Sequence, residues 1–61
     1  MTDDELFNTL QTAIQHGGIF YRKIAEAALV ADPENNALIL NNWPRLISHY
    51  GVISPLYIGR R

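Results

Sequence analysis

The side chains able to do acid–base or metal chemistry are few: His16, His49 and six carboxylates, Asp3, Asp4, Glu5, Glu26, Asp32 and Glu34. A zinc-type centre needs several nitrogen, sulfur or carboxylate ligands at set spacings, and neither histidine begins an HxxxH or HxxE pair. The chain has no cysteine. Thiolate metal sites and disulfides are therefore excluded. Both histidines fall near the ends of expected helices, where a cation or a hydrogen bond to a free carbonyl is favourable. The cluster Asp3-Asp4-Glu5 is a poor acid–base pair, because catalysis wants two carboxylates in a cleft with separated pKa values. Helix capping accounts for all three. Ser48 and Ser54 lack a His–Asp arrangement around them. Gly17-Gly18 lacks the GK[ST] ending of a phosphate loop. These residues point to no catalytic, cofactor or metal site, and hence to a non-enzymatic protein with no small-molecule substrate.

Nucleic-acid binding is the alternative with some support. Residues Ile24 to Val30 loosely follow the first helix of a helix-turn-helix. The pattern fails where it matters: Leu29 takes the usual glycine position, and Glu34, Asn35 and Asn36 stand where a reader wants Arg, Lys or Gln. Five bases against six acids leave a weak electrostatic footprint, and phosphate contacts normally supply much of the affinity. Arg22-Lys23 and Arg60-Arg61 make a small basic patch at best. Protein recognition fits the composition better. Trp, Tyr and Arg are enriched at interface hot spots. Tyr21, Arg22, Trp43, Leu56, Tyr57, Ile58, Arg60 and Arg61 are the candidate interface residues, with Trp43 also suited to anchor the core.

The elements that position these residues read as helices at about 3–16, 19–31, 33–41 and 43–50. In the first, Thr2 with Glu5 forms a capping box, Met1 with Leu6 a hydrophobic staple, and the three acids suit the positive end of the helix dipole. Leu6, Phe7, Leu10, Ala13 and Ile14 recur at helical spacing, while Asn8, Thr9, Gln11, Thr12 and Gln15 fill the polar side. Gly17-Gly18 ends it, since glycine readily adopts the left-handed conformation of a C-cap. The second helix is polar only at Arg22, Lys23 and Glu26. Such a wide apolar surface implies burial on more than one side, and marks this helix as central, with alanines that admit a close neighbour. Asp32-Pro33 begins the third helix, as an N-cap followed by proline at the first helical position. Asn41-Asn42 and Trp43-Pro44 break the chain, so two short helices are expected rather than one kinked helix. Leu10, Ile24 and Leu46 sit mid-stripe and are expected in the core.

Residues 52–61, β-branched, aromatic and interrupted by Pro55, cannot be helical throughout. They are expected as an extended C-terminal arm, packed across the helices or against a second chain in a homodimer. The expected fold is all-α: a small orthogonal three- to four-helix bundle, one domain over 1–61, with that arm.

A chain of 61 residues buries only about 60% of its unfolded surface, so its margin is thin. Apolar residues are 48% of it, which argues against disorder. The charge is uneven: residues 1–34 hold all six acids and two bases (−4), residues 35–61 three arginines and no acid (+3). Met1 is followed at once by Thr2-Asp3-Asp4-Glu5, without the basic start and apolar run of a signal peptide. The longest apolar run, Ala27 to Ala31, is too short to span a membrane. A cytoplasmic, membrane-independent protein is the expectation. In size, acidic start, Asn content and lack of cysteine, the chain resembles the small accessory and early-region proteins of lambda-type temperate phages. That resemblance implies a regulator of host or phage development that binds a host or phage protein. It transfers no functional residue.

Overall fold

The computed structural model describes residues 2–59. Met1, Arg60 and Arg61 lie outside them, and with them the staple and the two C-terminal interface arginines. Four α-helices follow in order: α1 (Asp3–His16), α2 (Ile19–Val30), α3 (Pro33–Asn42) and α4 (Arg45–Tyr50). The class is all-α, a small helical bundle. Among the described residues there is no strand, and no helix is long and apolar enough to cross a membrane.

Each helix boundary has a local chemical cause. At α1 the capping box is made: the Glu5 amide donates to Thr2 Oγ1 over 3.1 Å, and the Thr2 amide donates to Glu5 Oε1 over 2.9 Å. Between α1 and α2 the two glycines divide the work. Gly17 is the C-cap of α1 with φ −89°, not left-handed, and its lack of a side chain permits close approach: a Cβ there would lie 2.5 Å from the Ala13 carbonyl oxygen and 3.0 Å from the Tyr21 Cβ. Gly18 has the positive φ, 61° with ψ −177°, a region open essentially to glycine alone. Asp32 occupies the N-cap of α3, but its carboxylate makes no bond to the backbone there. It accepts instead from Asn35 Nδ2. Trp43, forced out of the helical region by Pro44, breaks α3 from α4. The last helix therefore starts at Arg45, two residues later than its apolar spacing indicates.

The buried apolar cluster is Leu10 and Ala13 of α1, Ala25 and Ala28 of α2, and Leu46 of α4. Helix α1 packs against both α2 and α4, and α2 against α3. The second helix is thus less enclosed than its composition implies. Only Ala25 and Ala28 are fully buried, while Ile19, Phe20 and Val30 are exposed. Ile24, expected in the core, is half-buried against it. Helix α3 contributes no fully buried residue and is tied to α2 by Asn36 Nδ2, which donates to the Ala28 carbonyl over 2.9 Å.

The polar side of α1 is the clearest departure from the sequence pattern. Thr9 and Thr12 are both 0% exposed. Their hydroxyls donate back to the Glu5 and Asn8 carbonyls over 2.7 Å each, so neither is buried unsatisfied. Thr12 also receives the C-terminal segment. That segment is not an extended arm but a succession of turns from Gly51 to Gly59. The Ser54 amide donates to the Gly51 carbonyl over 2.8 Å, and the Tyr57 amide to the Ser54 carbonyl over 3.1 Å. Ile58 then donates its amide to Thr12 Oγ1 over 3.0 Å. With no strand to pair with, the segment satisfies its backbone by turns and by α1.

Candidate functional site

A cleft of about 440 Å³ lies between the first half of α1, the end of α2 and α3. Helices α1 and α3 form its walls, since both pack on α2 while α3 has no extensive contact of its own with α1. Leu6, Phe7 and Leu10 come from α1; Ala28, Leu29 and Ala31 from α2 and its end; Pro33, Ala37 and Leu40 from α3. Phe7 is 53% exposed. Three of the lining residues are alanines, so the backbone lies close behind the cleft surface. The polar lining is Asp3 and Asn36. Asp32 and Glu34 flank the lining residue Pro33, and Asp4 follows Asp3; all four carboxylates are exposed. Asp3 is thus the carboxylate that lines the cleft, with Asp4, Asp32 and Glu34 next to lining residues in sequence at the two helix N-termini. Each terminus carries about half a positive charge, too little to offset the carboxylates around it.

The interface residues singled out from the sequence fall elsewhere. Tyr21 and Trp43 belong to a run of rings on another part of the surface. Trp43 meets Phe20 edge-on at 6.1 Å between centroids, Phe20 meets Tyr21 at 5.2 Å, and Tyr21 lies 5.9 Å from Tyr50. Trp43 is half-buried and lies outside the fully buried core. Arg22 is exposed beside this run in sequence. Leu56 and Ile58 are partly exposed on the C-terminal turns, with Tyr57 half-buried between them. Arg60 and Arg61 lie outside the described residues.

A second, smaller cleft of about 340 Å³ brings His16 and His49 together with Ser48 and the turn residues Ile53 to Leu56. The two imidazoles, far apart in sequence, share this hollow because α4 packs on α1. Among the described residues no group of three or more His, Cys, Asp or Glu is placed to hold a metal ion.

No protein-family model, no curated protein and no solved structure matches the chain. The α1–α2–α3 cleft escaped the sequence reading because its residues were assigned to buried stripes. The signal was present in α2: its apolar arc was wider than one neighbouring helix could cover.

Proposed function

We propose that the protein is a non-enzymatic protein-binding module and that the α1–α2–α3 cleft is its docking face. The observation that carries this reading is a mismatch in apolar placement. Among the described residues the large apolar side chains that are fully buried are Leu10 and Leu46, whereas nine large hydrophobics are exposed. Scattered exposed leucines mean little, but an apolar concavity with Phe7 standing in its wall is what a partner covers. Regulation of phage or host development is the part of this proposal that rests on the resemblance alone. Self-association belongs to it as well, through Ile53, Leu56 and Ile58, which stay exposed on the C-terminal turns. Light scattering at high micromolar concentration tests that part: a strictly monomeric mass removes it.

DNA binding has less support. The outward residues of α3 include Glu34, Asn35, Leu38 and Asn41, with no base among them. A salt-dependent shift of random duplex DNA would revive it.

The docking reading is tested with Ala37→Arg. Ala37 is exposed and lines the cleft, and arginine is a good helix former, so the substitution fills the cleft with little cost to α3. Tagged parent and variant are compared in pull-downs from lysate with mass spectrometry. A set of proteins held by the parent and lost by the variant is expected. The same set on both would place the docking face elsewhere.

A further inference from the structure

We infer that the cleft takes a basic amphipathic helix from a partner protein. This deepens the docking reading and depends on it. Three features select the occupant. The first is shape: α1 and α3 stand as two walls on α2, Ala28 and Ala31 keep the surface between them low, and Ala37 keeps the α3 wall low. Small side chains let another helix backbone come close, and a helix laid in a groove presents apolar anchors at i, i+3, i+4 and i+7. The second is lining: the surface facing such anchors is apolar, with Phe7 and Leu40 on opposite walls.

The third feature is charge. Asp3 lines the cleft, and Asp32 and Glu34 flank its Pro33, while the described bases Arg22, Lys23 and Arg45 are not among its lining residues. Lysines or arginines beside the anchors of an incoming helix would meet these carboxylates. Complementary charge of this kind steers encounter and fixes register. The same charges disfavour a second copy in a symmetric arrangement. A two-fold contact through this face would set a patch lined by Asp3 and by no base against the same patch.

The test uses the intact protein and two synthetic helical peptides of about 15 residues, with leucines at i, i+3, i+4 and i+7. One carries lysine on the flanks of the leucine face, the other glutamate at the same positions. Fluorescence anisotropy is expected to show the lysine peptide binding about tenfold tighter than the glutamate peptide, with the difference shrinking as salt rises. Asp3→Asn and Glu34→Gln should each weaken the lysine peptide roughly twofold to fivefold, the range of a partly exposed charge pair. Titration of the parent protein followed by NMR should shift the signals of Phe7, Leu29 and Ala37; this measurement needs no variant to fold. Equal affinity for both peptides overturns the basic occupant while leaving the docking face standing, provided Ala37→Arg still loses its lysate partners. Absence of binding by either peptide overturns the helix. Shifts confined to residues outside the cleft do the same. A dimer of the protein alone that Ala37→Arg dissolves would make the occupant a second copy.

Discussion

The backbone amide of Ile58 donates to the hydroxyl of Thr12 over 3.0 Å, joining residues 46 positions apart. Thr12 Oγ1 also donates to the Asn8 carbonyl, so one fully buried hydroxyl serves the helix and the C-terminal turns together. Thr12→Val keeps the shape and removes the acceptor. The Ile58 amide loses its partner, at an expected cost of about 0.5–1.5 kcal/mol. Hydrogen exchange is the sharper readout: the Ile58 amide should exchange faster while amides in the middle of α1 keep their protection. Unchanged exchange at Ile58 would mean that water or another group already satisfies it.

The α1 cap is complete in both directions. Thr2→Ala removes the acceptor for the Glu5 amide and should lower stability by about 1 kcal/mol. In a domain of this size such a loss moves the melting temperature by several degrees. A melting curve superimposable on the parent would show that the first turn frays in solution.

Burial ranks the core substitutions. Leu10 and Leu46 are fully buried, and alanine at either should cost roughly 2–5 kcal/mol. Ile24 is only half-buried, so Ile24→Ala should fall below both. Denaturant titration of the three variants gives the order directly. If Ile24→Ala proves the most damaging, the side of α2 facing α1 is misassigned.

Those three leucine and isoleucine positions show how far the chain could be read. Punctuation was legible because its causes are local: the Thr2–Glu5 box, the glycine pair, Asp32-Pro33 and Trp43-Pro44 each act within a few residues. Leu10 and Leu46 were legible because the middle of an apolar stripe has few places to go. Thr9 and Thr12 were not, since a threonine that bonds to its own preceding turn becomes fit for burial, and only a neighbour decides whether it is buried. The C-terminal turns escaped for a related reason. Their β-branched residues favour extension, but an isolated extended segment leaves its amides unpaired, and Thr12 offers one of them a partner. The cleft was harder to read because its residues sit in stripes that look buried, and only the width of the α2 apolar arc hints that part of that surface is left open.

The glycine pair separates two effects that look alike in sequence. Gly18→Ala places a side chain at φ 61°, ψ −177°, where strain of about 1–3 kcal/mol is expected although the space around it is open. Gly17→Ala keeps an ordinary backbone conformation but brings a Cβ to 2.5 Å from the Ala13 carbonyl oxygen and 3.0 Å from the Tyr21 Cβ, so the end of α1 and the start of α2 must both shift. Both should destabilise. Only the second should alter the near-ultraviolet circular dichroism, because it displaces Tyr21 and the ring beside it. Identical near-ultraviolet spectra for the two would assign both losses to the backbone.

The C-terminal turns bear on the chain's own stability. Their amide contact reaches Thr12, and Gly59 passes close to Asn8, one helical turn earlier on α1. Ser54, within the same turns, is almost fully buried. Ending the chain at Gly51 would remove that cover and open the polar side of α1 to water. It would also remove Ile53, Leu56 and Ile58, whose exposed surface the fold gains little by keeping. The two effects predict different results. If the turns belong to the chain's own fold, truncation lowers the melting temperature of a monomer, and light scattering gives the same monomeric state before and after. If their main role is to join two chains, the full-length protein is dimeric and truncation yields a monomer whose melting temperature no longer depends on concentration. The contacts to Thr12 and Asn8 favour the first. A full-length dimer that becomes an equally stable monomer on truncation would refute it.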